Sequence, residues 1–294
     1  MAQSPEVIKT RLENIHSIEP LLAALRTISL SNWRFSLKKI EIASGYLNKL
    51  YEIYNQLLPS NKTDSNTHSN PNHLLIAIGS NRGLCGNFNR DIIKNLSNLL
   101  SKSINNFQVI IIGERLRKLL DRKKLKYDHY LQFPNASDLN PSFTQNIFSE
   151  FLQSNKNGFS ELLFNQYRGA GQYRTTQSNI FPNDFLNLSS YKLPLDDFVF
   201  DTTSEEIQKY LNEHLVQLSL YFALLSSAAS EHSTRFQLME NASNNAEKLA
   251  EELFIEVQVQ RRQKITSEMQ ELAIGAGLLE KRGGKKPRSG FDNF

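Results

Sequence analysis

The feature that most constrains this chain is the distribution of its helix-breaking residues. Between Pro194 and Gly275 the sequence contains neither a proline nor a glycine. Helices in globular proteins average about three turns, so an uninterrupted segment of this length indicates a coiled coil or a helical repeat. We predict one very long helix that begins near Ser204, where hydroxyl side chains suited to capping precede two glutamates.

A heptad pattern favours the coiled coil. From Leu211 to Val257, fourteen positions follow strict four-three spacing, and all are apolar except His232 and Ser243. Such a repeat is typical of a seam between two helices, and a polar residue on the seam fixes their register. The long helix therefore requires a partner helix of similar length.

The N-terminal segment supplies this partner, a helix predicted from about Pro5 to Leu58. Because the chain between the two helices leaves and returns at one end, we expect antiparallel pairing. Its seam positions are Trp33, Leu37, Ile40, Ser44, Leu47, Tyr51, Tyr54 and Leu58, preceded by a looser pattern at Ile8, Leu12, Ile15, Leu22 and Leu25.

The C-terminal helix is predicted to extend beyond its partner. A helix from residue 5 to 58 is about 80 Å long at ~1.5 Å per residue, and the same length from Ser204 ends near residue 258. The seam fails there, and a lone helix with an apolar stripe requires another protein around it. The apolar positions of the new register are Ile265, Met269, Leu272, Ala276 and Leu279.

A small α/β domain is predicted between the helices, at residues 73–200, after a polar linker at residues 59–72. Alternating strands and helices favour a largely parallel sheet. The predicted strands are Leu74–Gly79, Phe107–Gly113 and Ser160–Tyr167, with helices near 88–103, 114–123 and 139–154. The predicted fold class is thus a long antiparallel two-helix coiled coil with a central α/β domain of mostly parallel strands.

A glycine-containing segment, Gly79-Ser-Asn-Arg-Gly-Leu-Cys-Gly86, follows the first predicted strand. It lacks the lysine and spacing of a Walker loop and the Gly-x-Gly-x-x-Gly of a dinucleotide fold. We therefore predict a tight turn whose glycines permit positive φ, with Cys85 as a packed thiol. The histidines are scattered, and no grouping predicts a catalytic, cofactor or metal site.

Charge and composition leave the partners open. The formal net charge is +4, which is compatible with nucleic acid, acidic lipid or an acidic protein. A single cysteine is typical of a reducing compartment. Without a signal sequence or an apolar run long enough to span a bilayer, we expect a cytosolic chain that reaches a membrane only through partners. A basic tail occupies residues 283–294 and is either a solubilising terminus or a contact for an acidic partner.

Three stretches resemble one family, the gamma subunits of F-type ATP synthases. The segment from Ile76 through Gly86 to Asn89 resembles its Ser-Asp-Arg-Gly-Leu-Cys-Gly pattern. The segment from Ser230 to Ala246 resembles its Ser-Glu…Arg…Ala-Thr-x-Asn-Ala pattern. Arg262-Gln-Lys-Ile-Thr-Ser-Glu resembles its Arg-Gln-x-x-Ile-Thr-x-Glu pattern, with one residue fewer.

The resemblance implies a non-catalytic central rotor shaft that couples ion flow through a c ring to conformational change in a ring of three alpha and three beta subunits. The epsilon subunit would adjoin the α/β domain. No nucleic acid is implied, and the location would be the cytoplasmic face of the bacterial inner membrane. The partner interface would comprise Arg82, Gly83, Leu84, Cys85, Gly86, Arg262, Gln263, Ile265, Met269 and Leu272, with Arg262 and Gln263 contacting a loop of one beta subunit.

The chain departs from the family pattern at several positions. Asn81 replaces an aspartate, Pro20 is expected to interrupt and kink the first helix, and Trp33 and Leu25 stand where smaller residues or methionine are usual. The alternatives are a coiled-coil adaptor with an α/β recognition domain, which is not part of a motor, and an enzyme acting on a small phosphorylated ligand. Neighbouring genes for alpha, beta and epsilon subunits would favour the motor; turnover by the isolated chain would favour the enzyme.

Overall fold

The computed structural model of the chain describes residues 5–57, 73–102, 107–135, 138–152, 160–180 and 203–276. Its elements in chain order are α1 (Pro5–Leu57), β1 (His73–Ile78), α2 (Phe88–Lys102), β2 (Phe107–Ile112), α3 (Glu114–Lys123), β3 (His129–Leu131), α4 (Pro141–Ile147) followed by a π-helical turn (Phe148–Leu152), β4 (Ser160–Gly169), β5 (Gln172–Asn179) and α5 (Ser204–Gly275). The predicted fold class is confirmed: long N- and C-terminal helices accompany a central sheet of mostly parallel strands.

Two compact units make up the chain. The central unit comprises Leu22–Asn241, and the terminal unit comprises Met1–Leu21 together with Ala242–Phe294. The basic tail and Leu279 lie outside the described residues, as do Leu58 and the whole predicted linker at residues 59–72.

The sheet of the central unit has the strand order β3-β2-β1-β4-β5. β1 pairs in parallel with β2 and β4, and β2 pairs in parallel with β3, whereas β5 returns antiparallel to β4. The sequence predicted β1, β2 and β4 but neither edge strand. β3 has only three residues, and β5 (Gln-Tyr-Arg-Thr-Thr-Gln-Ser-Asn) is too polar to form an apolar run.

Both faces of the sheet are covered, which explains why its inner strands are apolar at nearly every position. On one face, Leu75 of β1 packs with Ile92 of α2 and Leu116 of α3. On the other face, Ile76 belongs to a cluster that includes Leu224 of α5. The sheet is therefore the middle layer between α2 and α3 on one side and the long helices on the other.

The two long helices run antiparallel within the central unit. The side-chain amide of Gln208 donates to the carbonyl of Leu57, near the start of α5 and the end of α1. Farther along, Trp33 of α1 lies 5.9 Å from Phe236 of α5, measured between ring centroids, and 6.4 Å from Tyr167 of β4. Trp33 thus fills the space where α1, α5 and the sheet meet.

The predicted seam of α5 is confirmed, because all fourteen positions are buried or half-buried. The α1 seam was only partly predicted. Leu47 and Tyr51 are buried as expected, but the other seam positions with the lowest exposure are the small residues Ser29, Ser36 and Ala43. Leu37 and Ser44 are half-buried, and the small side chains beside them are of the kind that lets two helices approach closely.

From Ser219 to Glu231, α5 is buried on all sides, because α1 covers one face and the sheet the other. Serines at the contact with β4 satisfy backbone groups there: Ser226 Oγ accepts from the Tyr167 N–H at 2.9 Å, and Ser230 Oγ donates to the Asn165 carbonyl at 2.9 Å. This part of α5 is the spine of the central unit.

In the terminal unit, Ile8 of α1 and Ala250 and Leu253 of α5 are buried. Helix α1 continues through Pro20, so the expected interruption does not occur. Every side chain from Arg261 to Leu272 is exposed, as the failing seam predicts. None of the described helices has an apolar stretch that could cross a membrane.

Candidate functional site

The glycine loop, residues 79–87, follows β1 and holds the start of α3. A side chain at Gly79 would place its Cβ 2.5 Å from the Cβ of Leu116, so only glycine allows this close contact between loop and helix. The Ser80 carbonyl accepts from the Arg115 N–H at 2.9 Å. The loop therefore satisfies a backbone donor that a helix leaves unpaired at its first turn.

Asn81 completes this cap from a distance in sequence. The residue before α3 is Gly113, which has no capping side chain, and Asn81 Oδ1 accepts from the Glu114 N–H at 3.2 Å instead. The same oxygen accepts from the Phe133 N–H at 3.2 Å, and Asn81 Nδ2 donates to the Phe133 carbonyl. Since a carboxylate cannot donate this last bond, the asparagine matches a site that needs both a donor and an acceptor.

Inside the loop, a small polar network fixes the backbone. The Ser80 N–H donates to Asn89 Oδ1 at 3.0 Å, Asn89 Nδ2 donates to Ser80 Oγ at 2.7 Å, and Ser80 Oγ donates to the Arg82 carbonyl at 2.7 Å. Cys85 packs beside this network and is buried. Burial raises the pKa of the Cys85 thiol, which keeps it protonated and unreactive.

Arg235 of α5 fastens the loop to the long helix. Its Nε and Nη2 donate to the Gly83 carbonyl at 3.2 and 3.1 Å, and Nη2 also donates to the Arg82 carbonyl at 3.4 Å. Arg235 also forms an ion pair with Glu231, one turn earlier, and both residues are only 7% exposed. A buried guanidinium thus joins a surface loop to the spine of the central unit, an arrangement we call the arginine clamp.

His232 adjoins the clamp and is sensitive to its charge. Its Nδ1 lies 3.3 Å from Arg235 Nη1. Burial lowers the pKa of His232, the nearby Glu231 carboxylate raises it in part, and Arg235 lowers it further. A neutral His232 can accept a hydrogen bond from Arg235, whereas a protonated one would place two cations side by side.

The exposed part of the loop is its tip. Leu84 is 60% exposed and has φ 61°, a conformation that is uncommon for a leucine. Gly86 also has positive φ, and a Cβ there would lie 3.4 Å from Leu238 of α5. Of the loop residues predicted to contact a partner, Leu84 offers the exposed apolar side chain, whereas Cys85 is turned inward.

The second predicted contact region is the end of α5, residues 261–276. Arg262 and Gln263 are exposed, and the apolar side chains that follow are exposed as well: 44% for Ile265, 65% for Met269 and 73% for Leu272. Leaving large apolar side chains in water is unfavourable by roughly 1.5–3 kcal/mol each relative to full burial. This end of the helix is therefore suited to a protein that surrounds it.

Sequence reasoning located the loop but assigned no role to Arg235 or Glu231. A signal was present: they form an i, i+4 charge pair in a stretch of α5 whose other side chains are mostly small or apolar. Charged residues are almost never fully buried unless they are paired, so such a pair on a buried helix points to an interior salt bridge.

Comparisons with known proteins agree with these features. A family model described as ATP synthase matches residues 4–279. The chain is 28% identical to the ATP synthase gamma chain of Rickettsia felis over 283 residues, covering 92% of this chain and 97% of that one. It is 25% identical to the ATP synthase gamma chain of Bdellovibrio bacteriovorus, covering 93% and 98%.

Two solved structures share the fold. The rotor of the Euglena gracilis mitochondrial ATP synthase in rotational state 1 superposes with a TM-score of 0.63 at 15% identity, covering 89% of this chain and 98% of that chain. The central stalk and c ring of the Tetrahymena thermophila mitochondrial enzyme gives 0.56 at 24% identity, covering 76% and 99%.

Proposed function

This chain belongs to the ATP synthase family, as one of its gamma subunits, and we propose that it turns as the central shaft inside a ring of three alpha and three beta subunits. In this role it couples ion flow through a c ring to conformational change at catalytic sites on the beta subunits. The epsilon subunit and the c ring adjoin its central unit.

The observation that carries this proposal is the exposed end of α5. One continuous helix extends from Ser204 to Gly275, and every side chain from Arg261 to Leu272 is exposed despite several large apolar residues. A solvent-facing helix of this composition is unfavourable for an isolated chain but is suited to a sleeve of other subunits. This favours the rotor over an adaptor whose recognition surface lies on the α/β domain.

The arginine clamp suits torque transmission. In a rotor, the α/β domain and α5 must turn together. Arg235 joins the glycine loop to α5 by several charge-assisted hydrogen bonds, each worth roughly 1.5–3 kcal/mol. We infer that a partner pressing on Leu84 at the loop tip transfers force directly to α5.

The chain itself is proposed to be non-catalytic. Backbone and side-chain groups of the glycine loop are engaged in capping α3 and in the arginine clamp, and the thiol of Cys85 is buried. The proposed location is the cytoplasmic face of a bacterial inner membrane, reached through partner subunits. Purified chain should give no ATP turnover; turnover that persists through purification would support the enzyme alternative.

Co-expression tests the assembly. The chain should copurify with alpha and beta subunits at one copy per three of each, and alone it should aggregate because of its exposed apolar side chains. A monodisperse monomer that fails to bind alpha and beta subunits would refute the proposal.

A double substitution tests the contact proposed for the end of α5. Replacing Arg262 and Gln263 with alanine removes a contact to a beta-subunit loop worth roughly 1.5–3 kcal/mol, so ATP turnover by the complex should fall while assembly persists. Replacing Arg261 and Gln270 with alanine is a control of the same composition on the same exposed segment. If both pairs have equal effects, the contact assigned to Arg262 and Gln263 is wrong.

A further inference from the structure

The net charge of this chain is concentrated in one short segment. Residues 114–128 contain seven lysines and arginines and three acidic residues. Their net charge of +4 equals the net charge of all 294 residues, so the rest of the chain is neutral in sum. Such a concentration distinguishes a specific basic surface from a uniformly basic protein.

Within that segment, Arg115 lies beside the glycine loop, and the other six cations divide into two groups. Arg117 bonds Glu114 and Asp121, and Lys118 bonds Glu114. The other group, which we call the basic corner, lies at the end of α3 and is exposed; it comprises Arg122, Lys123, Lys124 and Lys126. Among the residues that the structure describes, none of these four takes part in an ion pair.

The acidic residues nearest in sequence to the basic corner are already engaged. Asp121 accepts from Arg117 and from the Tyr127 hydroxyl, the latter at 3.0 Å. Asp128 Oδ2 accepts from the Val109 N–H at 2.7 Å. These carboxylates therefore serve the fold, and the four cations of the corner remain available for an external anion.

The basic corner lies at one edge of the sheet. Asp128 is bonded to Val109, near the start of β2, so the corner lies at the edge where the parallel strands begin. Arg235 and the glycine loop lie at the opposite edge, where β1 ends. The corner therefore lies away from the contacts between the glycine loop and α5. That this edge faces the membrane is part of the proposal below and rests on the proposed function.

The chemistry of the corner favours a diffuse anionic surface. Three of its four cations are lysines, which act as point charges on long stems and fit headgroups without fixed geometry. The aromatic residue of the segment, Tyr127, is half-buried and its hydroxyl donates to Asp121, so the corner lacks the row of exposed aromatic rings that favours stacked nucleobases. We propose that Arg122, Lys123, Lys124 and Lys126 form a contact site for anionic phospholipid headgroups.

Vesicle flotation tests this proposal on the full chain and on its complex with alpha and beta subunits. The probes are vesicles of phosphatidylcholine and vesicles of phosphatidylcholine and phosphatidylglycerol in equal parts. Since each cation near an anionic surface strengthens binding about fivefold, replacing all four with glutamine should weaken binding to the anionic vesicles about 600-fold. Binding should also fall as salt shortens the Debye length to ~10 Å at 0.1 M.

The basic tail, together with the two cations that precede it, supplies a matched control. Replacing Lys281, Arg282, Lys285 and Lys286 with glutamine removes three lysines and one arginine, as the corner variant does. This control should leave most of the binding to anionic vesicles intact. A variant that keeps the charge, with arginine in place of Lys123, Lys124 and Lys126, should bind anionic vesicles like the parent. A loss of binding in this variant would show that substitutions at these positions disturb folding.

Three results would overturn the proposal: vesicle binding that survives loss of the corner, binding lost with the tail instead, or preference for single-stranded DNA over anionic vesicles. Copurification with alpha and beta subunits is scored separately on each variant. A chain that binds anionic vesicles through the corner without joining those subunits would contradict the proposed function alone.

Discussion

Removing the guanidinium of Arg235 should destabilise the central unit more than any surface substitution. In an Arg235→Met variant, Glu231 stays buried without its partner, and the Gly83 carbonyl loses two donated bonds. Breaking a buried ion pair from one side costs about 3–5 kcal/mol, because an uncompensated charge remains inside the protein. This is a large part of the 5–15 kcal/mol that typically stabilises a domain.

A second substitution separates the charge from the loop contact. The Glu231→Leu, Arg235→Met double variant removes both charges, so it should recover part of the loss and retain only the cost of the missing loop bonds, roughly 1.5–3 kcal/mol. Arg235→Lys keeps a cation near Glu231 but lacks the planar fork that reaches two carbonyls. It should therefore show a small loss of global stability and a local loosening of the loop.

Urea unfolding of the full chain in its complex with alpha and beta subunits gives the change in the free energy of unfolding, and hydrogen exchange at residues 81–86 reports the loop. Faster exchange there in Arg235→Lys, with a nearly unchanged urea midpoint, is the expected result. The reasoning fails if Arg235→Met costs less than about 1 kcal/mol, or if the double variant is as unstable as the sum of its single substitutions.

Three further outcomes follow from the loop. Asn81→Asp should lower the thermal midpoint, because the Phe133 carbonyl loses its donor at a cost of about 1–3 kcal/mol, and acid that protonates the new carboxyl should reduce the deficit. The pKa of His232 lies below its ordinary value of 6.5, so its contribution to stability is complete above pH 6.5 and is lost as the pH falls below it; His232→Gln should flatten the pH dependence of the melting temperature there, and an unchanged slope would contradict this. Cys85, whose pKa is raised by burial, should react with iodoacetamide far more slowly in the folded chain than in urea, and equal rates would show an exposed thiol.

The long helices were predictable because their apolar positions repeat without interruption. The α5 seam could be assigned at every position, since large side chains mark most of it. The α1 seam was harder to assign, because the deeply buried Ser36 and Ala43 are small and carry little hydrophobic signal of their own. Pro20 was expected to interrupt α1, yet the helix continues through it.

Only part of the candidate site could be predicted from the sequence. Local motifs placed the glycine loop, and the end of the seam marked the exposed part of α5. The contacts that join the loop to other elements could not be predicted. Arg235 binds the carbonyl oxygen of Gly83, 152 residues away, and Asn81 caps a helix that begins 33 residues later. Pairings of this kind depend on tertiary structure and leave no periodic pattern.

The chemistry of the arginine clamp also bears on how such a loop can evolve. Arg235 contacts Arg82 and Gly83 through backbone oxygens, which every amino acid possesses. Side chains at the loop tip can therefore be exchanged to suit a different partner while the attachment to the shaft is inherited unchanged. A chimera carrying the tip of a distant relative should thus keep its mechanical connection, provided that the backbone path from Gly79 to Gly86 is preserved.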